Sequence, residues 1–259
     1  MNILFTICAR AGSKGVKGKN TCLFCGMPLI YYTAAAFELY QEAYAGMDAS
    51  GLALNTDSSL LTEQMRQTGV PFLSVGRKLS LAGDMAAKKD VIKDTLIQAE
   101  NRGHCRYDLI VDLDLTSPLR TAADIDGTIR ALKGDEHADI SYSVTHARRS
   151  PYFNMVTEDE NGYCHTVIKS DFVARQQAPV CYDMNASIYA YRRDYLLSSR
   201  LYDRKAVIWM MPDTGFLDID SDNDLKWMEV IADHLFTNHI RYQAIRLKAQ
   251  AYQDVRGTD

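Results

Sequence analysis

Between Ala9 and Asn20 the chain reads ARAGSKGVKGKN, directly after a short apolar run from Ile3 to Cys8. Glycine lets a backbone turn so that successive N–H groups face an anion. Arg10, Lys14, Lys17 and Lys19 supply charge that suits phosphate. The loop is neither a GxxxxGK[ST] phosphate loop nor a GxGxxG dinucleotide fingerprint. A solvated basic turn between a strand and a helix is the plain alternative. Far along the chain, Asp218 and Asp220 in GFLDIDS stand at i and i+2. On an extended segment both carboxylates share one side. Paired carboxylates beside phosphate-binding cations suit Mg2+, or Mn2+ in its place, because such ions take oxygen ligands and bridge phosphates. The competing use is a helix start, with Asp220, Ser221 and Asp222 as capping residues.

Other candidates lie between these two. In DLDLTSPLR, from Asp112 to Arg120, Thr116 and Ser117 offer hydroxyls and Pro118 fixes the exit from a strand. Asp112 and Asp114 also spell the DxD of metal-dependent glycosyltransferases. Asp112 sits inside the apolar run, however, which leaves Asp114 as the site residue. Asn185, at the entry of a later strand, could bond a polyol or simply make a turn. Arg175 could pair with a substrate carboxylate or stand as an ordinary surface arginine. Cys22 and Cys25 form a CxxC before a helix, as in thioredoxin-like proteins. No second CxxC or HxxxH exists to complete a zinc site, so all six cysteines read as reduced thiols.

Strands and helices must carry these residues to one place. Apolar runs near 3–8, 51–56, 70–75, 107–113 and 138–144 alternate with helical patterns from Leu29, Ser59, Lys88 and Thr121. Alternation of this kind predicts an α/β fold with a mostly parallel sheet covered on both faces. Ligands of such sheets bind at the carboxyl ends of the strands, where Arg10–Asn20, Asp57, Asp114 and Asp218 fall. The alternation lapses from about 146 to 180, which reads as an inserted lobe acting as a lid or dimer contact. Strand character returns at 186–191 and 206–211. The main domain is expected over 1–240, with 241–259 as a helical or loose tail.

The 259 residues allow one sizeable core. A net charge of −4 argues against a general nucleic-acid binder. No stretch is long and apolar enough for a membrane span, and the N-terminus has no secretory pattern. A cytoplasmic location and no membrane partner are therefore expected.

Four segments in fixed order, ARAGSKGVKGKN, LDLTSPLR, YDMNASIY and LDIDSDNDL, resemble the acylneuraminate cytidylyltransferases, which make CMP-sialic acids from CTP. The resemblance covers about Asn2 to Ile231. DLDLTSPLR, ARRSPYFNMV, ARQQAPVCYDMNASIYAY and VIWMMP resemble the bacterial CMP-legionaminic acid synthetases more than the sialic acid branch. Asp114 and Leu115 stand where the sialic acid pattern has Gln and Pro in LQPTSPLR. Because that glutamine contacts the sugar, the change bears on sugar choice.

The resemblance implies a Rossmann-like nucleotidyltransferase three-layer sandwich with a small inserted dimerisation lobe, acting as a homodimer. It implies that Arg10, Gly12, Ser13, Lys19, Asn20 and Arg77 bind the nucleotide. Asp218 and Asp220 would hold the metal, and Asp114, Arg175 and Asn185 would face a nonulosonic acid. Catalysis would rest on Arg10, Lys19, Asp218 and Asp220. Lys88 stands at the family's cytosine-side position, which is usually a small hydroxyl residue. The expected product is CMP-N,N'-diacetyllegionaminic acid, with CMP-N-acetylneuraminate as the alternative. A metal-dependent glycosyltransferase and a non-catalytic nucleotide-binding module are more distant readings.

Overall fold

Ile3, Phe5 and Ile7 alternate with Leu4 and Thr6 along the first strand, and the alternation sends the two sets to opposite faces of a sheet. The computed structural model describes residues 1–12, 18–44, 46, 48–83, 86–199, 204–212 and 218–254. Its strands are β1 (Asn2–Cys8), β2 (Leu23–Phe24), β3 (Met27–Pro28), β4 (Ala49–Thr56), β5 (Leu73–Gly76), β6 (Leu109–Leu113), β7 (Ile140–His146), β8 (Val156–Glu158), β9 (Cys164–Thr166), β10 (Tyr182–Arg192) and β11 (Ala206–Met210). Its helices are α1 (Leu29–Ala43), α2 (Ser59–Arg66), α3 (Lys88–Gly103), α4 (Ala122–Gly134), α5 (Arg193–Leu197), α6 (Asp222–Asn238) and α7 (Ile240–Asp254).

Among the described residues, seven strands join in the order β11-β7-β10-β6-β1-β4-β5. The β1–β4, β1–β6, β4–β5 and β7–β11 pairs are parallel, and β10 runs antiparallel to both neighbours. The sheet is thus mixed but mostly parallel, and the fold is Rossmann-like. One core packs α1, α4, α6 and α7 against Ile3, Phe5, Val111 and Leu113. The other packs α3 and α5 against Leu4, Ala53, Val75 and Ile110. These are the three layers expected from the alternation.

Local chemistry sets the element ends. Ser58 caps α2 by accepting from the Leu61 N–H at 3.1 Å. Thr121 and Asp124 form a reciprocal capping box at the start of α4. The strand expected over 70–75 starts only at Leu73, because Pro71 cannot donate to a ladder. From Ala147 to Cys181 the chain leaves the sheet and carries the small β8–β9 hairpin. Residues 240–254 form α7, whose Tyr242, Ile245, Ala249 and Tyr252 are buried in the same core as α1.

Helix α4 approaches β11 closely because Gly127 has no side chain. A Cβ there would lie 2.3 Å from the ring of Trp209, whose indole N–H donates to Asp124 Oδ1 at 3.2 Å. A ring held by packing and a hydrogen bond cannot step aside cheaply. Gly127→Ala is therefore expected to lower stability by about 1–3 kcal/mol, read as a lower urea midpoint with an unchanged slope. An unaltered midpoint would refute this close packing.

Candidate active site

The carboxyl ends of β1, β5 and β6 open on a cavity of about 330 Å³. Arg10, Lys19, Asn20, Arg77, Lys88, Asp114, Thr116 and Asp218 line it, with Cys8, Ala9 and Leu81 among its apolar walls. Basic residues hold the side over β1 and β5. Carboxylates hold the side over β6.

The basic half is fixed by side-chain bonds to the backbone and to buried polar groups. The Asn20 amide donates to the Arg10 carbonyl at 2.9 Å, and the Arg10 guanidinium reaches the Ala82 carbonyl at 3.3 Å. Asp57, just past β4, accepts from the Ala11 N–H at 2.6 Å. Arg77 donates through Nε to Asn55 Oδ1 at 3.0 Å. Asn55 is itself buried and donates to Thr95 Oγ1 at 2.9 Å. Burial lowers the Arg77 pKa, an effect opposed by Cys8 and Asp57. Gly12 is exposed and open on its Cβ side. Ser13, Lys14 and Lys17 lie outside the described residues.

The acidic half depends on α3. This helix covers the sheet face that carries Ile110 and Asp112, so Lys88 in its first turn reaches the strand ends. Lys88 Nζ pairs with Asp112 Oδ2 at 2.8 Å and also with Asp114 Oδ2. Asp112 is fully buried in mid-sheet. Its Oδ1 accepts from Thr6 Oγ1 at 2.7 Å, across a pair in direct register. Burial alone would raise the Asp114 carboxyl. The Lys88 ammonium, with the Thr116 N–H and hydroxyl, outweighs it and holds the pKa at about 2. Burial opposes the charge of Lys88 too, but the two carboxylates keep its pKa well above the usual lysine value.

Asp218 is half-buried, and its pKa is raised by burial and then by repulsion from Asp220. Lys19 pairs with Asp220 at 2.5 Å. The helix-start reading of this segment also holds, through other residues: Ser221 and Asp224 make the capping box of α6, which leaves the Asp220 carboxylate to Lys19.

Two of the expected sugar-side residues lie elsewhere. Arg175 lines a separate cavity of about 260 Å³ in the 147–181 segment, with Arg148 and Arg149. Asn185 is buried, its Oδ1 accepting from Ser143 Oγ at 2.7 Å. It borders an irregularity of β10 where Ala186 has φ +48°. Cys22 and Cys25 flank the extended pair Leu23–Phe24, a span of about 10 Å, beyond what a disulfide bridges. Burial, then Glu229, pushes the Cys25 thiol up to about 11, unlike an activated redox thiol. Lys88 and Asn55 are the contributors that residue-type reasoning did not assign. A lysine opening a helix straight after the Arg77–Ala87 loop was the available signal for the first.

The linkage of Asp114 has a definite sign. Its folded pKa lies below the unfolded value of about 3.9, so its stabilisation is complete above that value and is lost as pH falls toward about 2. In Lys88→Met two carboxylates would lose their cation, and protonation would relieve them. The urea midpoint of the variant should rise between pH 7 and 4, while that of the parent should not. Parallel profiles would contradict the ion-pair assignment.

Comparison with known proteins places this geometry. A family model described as cytidylyltransferase matches residues 4–214. The chain is 34% identical over 234 residues to post-translational flagellin modification protein B of Campylobacter coli, covering 88% of this chain and 94% of that one. It is also 34% identical over 233 residues to the CMP-N,N'-diacetyllegionaminic acid synthase of Campylobacter jejuni, with the same coverage. An N-acylneuraminate cytidylyltransferase of Streptococcus agalactiae is 29% identical over 92% of this chain and 54% of its own length. Among solved structures, a CMP:2-keto-3-deoxy-manno-octonic acid synthetase complexed with CTP superposes with a TM-score of 0.64 at 14% identity, over 90% of this chain and 99% of that one. That likeness supports the fold. The family match over most of the chain, with relatives at this identity, means that the chain belongs to the cytidylyltransferase family.

Proposed function

We propose that this cytidylyltransferase joins CMP from CTP to a nine-carbon 2-keto sugar acid and releases pyrophosphate, with N,N'-diacetyllegionaminic acid as its sugar. The observation that carries the reading is the division of one cavity into a basic half, Arg10, Lys19 and Arg77, and an acidic half, Asp114 and Asp218. A triphosphate suits the first. An uncharged polyol region suits the second, where it meets acceptors and the Lys88 ammonium. The sugar is named from the printed activity of the Campylobacter jejuni relative.

In this reading Arg10 and Lys19 hold the β- and γ-phosphates as charge builds on the departing pyrophosphate. Asn20 keeps the Arg10 backbone in place. Arg77, anchored by Asn55, fixes the nucleoside end. The sugar's anomeric hydroxyl is oriented toward the α-phosphorus by the Asp114 side, so positioning supplies much of the rate. Residues Asp218 and Asp220 fit a Mg2+ or Mn2+ ion: they are hard oxygen donors close enough to repel each other. Among the described residues no three His, Cys, Asp or Glu side chains converge as a closed cage. An open pair of carboxylates would leave room for phosphate oxygens and water as further ligands. When bound, the ion supplies electrostatic stabilisation to those phosphates.

The 147–181 segment exposes Val156, Tyr163, Val173 and Val180. Such a patch suits burial against a second copy, and a homodimer is the proposed assembly. Sedimentation of the full chain at the mass of a dimer would support it, and a single-chain mass would remove it. No helix among the described residues is long and apolar enough to cross a membrane.

Pyrophosphate release with CTP and Mg2+ should be fastest with legionaminic acid in a panel that also holds N-acetylneuraminic, pseudaminic and Kdo acids. Preference for N-acetylneuraminic acid would keep the reaction and change the sugar. Asp220→Asn, at a side chain 71% exposed, should fold normally and lose at least about 100-fold in kcat. Near-normal turnover would overturn the metal assignment.

A further inference from the structure

The Lys88–Asp114 pair is a charged element of the cavity wall with part of its bonding capacity unspent. An ammonium carries three donors. Asp114 Oδ2 takes one as a hydrogen bond, Asp112 Oδ2 is an ion-pair partner at 2.8 Å outside hydrogen-bond geometry, and among the described residues no other acceptor meets the ammonium. Asp114 spends Oδ1 on the Thr116 N–H and hydroxyl, at 3.1 and 2.9 Å. Its Oδ2 accepts from Lys88 alone among the described residues. Lys88 Nζ also stands 5.6 Å from the centre of the Tyr189 ring, which closes one side.

The charge of the cluster defines what it can take. Asp112, Asp114 and Lys88 together carry one net negative charge. The cluster is therefore a poor seat for a carboxylate or a phosphate, which the basic half receives better. A neutral group that both accepts and donates fits a donor and an acceptor held side by side. A hydroxyl does so on a single oxygen: it accepts from Lys88 Nζ and donates to Asp114 Oδ2. A trans amide points its N–H and C=O in opposite directions and meets only one of the two.

We propose that Lys88, which the resemblance puts at a cytosine-side position, is drawn by Asp112 and Asp114 to the acidic half instead and forms with Asp114 a specificity-determining pair that reads one hydroxyl of the acceptor sugar, with Asp112 and Thr6 as the buried strut that holds Lys88 in place. The inference rests on the cytidylyltransfer reading above. It explains why a mid-sheet carboxylate is kept at Asp112. Without Asp112, Lys88 would have a single partner and its ammonium would be free to follow Asp114 out toward solvent.

The test uses the full chain with CTP, the best sugar of the panel, and analogues of that sugar lacking each hydroxyl in turn. The parent protein should discriminate against one deoxy analogue by at least 100-fold in kcat/KM, as a site built to bond a hydroxyl does. Lys88→Arg keeps the charge but not the donor geometry. Its unfolding midpoint should stay near that of the parent. Its sugar KM should rise at least tenfold while the CTP KM stays within twofold, and this penalty should vanish with the discriminating analogue. If Lys88→Arg does not fold, Asp114→Asn reads the same pair and should show the same split. Full kcat/KM in the variant, a rise confined to the CTP KM, or an equal penalty with every analogue would each overturn the proposal. A parent protein that releases no pyrophosphate with any sugar would instead overturn the functional reading on which it stands.

Discussion

A single buried guanidinium holds the acidic half of the site together. Arg120 is fully buried, and burial, partly offset by Asp114 and Asp112, brings its pKa to about 10. It donates to the Ser187 carbonyl at 2.8 Å, to the Ser117 carbonyl at 2.8 Å, and to the carbonyl of Asp114. The first lies on β10 and the other two on the turn after β6. One side chain thus ties β10, the one strand that runs antiparallel to both its sheet neighbours among the described residues, to the turn that carries Asp114 and Thr116. The Thr116 carbonyl in turn accepts from the Ile219 N–H at 3.0 Å, which sets the segment holding Asp218 and Asp220. Asp220 then meets Lys19 from the opposite half of the cavity. Removing the guanidinium would orphan the Asp114 and Ser117 carbonyls, each costing roughly 1–3 kcal/mol if left buried without a partner, while the Ser187 carbonyl would keep the Asp114 N–H at 3.0 Å.

A second constraint comes from the sheet face beneath α3. Leu4, Ala53 and Ile110 are apolar where the helix packs flat. One step toward the carboxyl ends the same face turns polar, with Thr6, Asn55 and Asp112 all buried. A buried carboxylate is tolerated only with its cation and hydrogen bonds in place, and Asp112 has Lys88 and Thr6. This layer contributes little net stability, by the same argument. What it contributes is geometry: it holds Arg77 through Asn55 and Lys88 through Asp112 on the two sides of one cavity. A flexible lysine and a long arginine would otherwise sweep a wide volume, and ordering them on binding would cost affinity.

Much of this was legible in the residues. The alternation of apolar runs and helical patterns sufficed for a layered α/β fold, because both periodicities follow from the backbone. Arg10 and Asp114 were readable because they stand just past strands, and strand ends of a parallel sheet converge; Lys19, Asn20 and Asp218 were readable from the cationic loop and the paired carboxylates, and Arg77 from the family resemblance alone. Two things were not readable. The reversal of β10 leaves no local trace, since a strand buried on both faces has the same composition in either direction. Arg175 and Asn185 show the second limit. Their side chains suit a sugar, but Asn185 turns inward to Ser143 beside the irregularity of β10, and Arg175 sits in a segment that has left the sheet. Residue type indicates what a group can bond, and only packing decides which way it faces.

The Lys19–Asp220 pair shows how such a site can be ordered yet ready for charged ligands. With Asp220 71% exposed, the pair is of the surface kind, worth about 0–1 kcal/mol. It holds two halves of the cavity in register without a deep well to escape from. Because Ser221 and Asp224 already cap α6, Asp220 owes nothing to the helix and can change partner without fraying it. A polyanion arriving on Lys19 and a cation arriving on Asp220 would replace one weak internal pair by two stronger external ones. The Lys88 cluster has the opposite design. Its pairs are buried around Asp112, too costly to break during turnover, and so suited to reading a neutral group that neither adds nor removes charge.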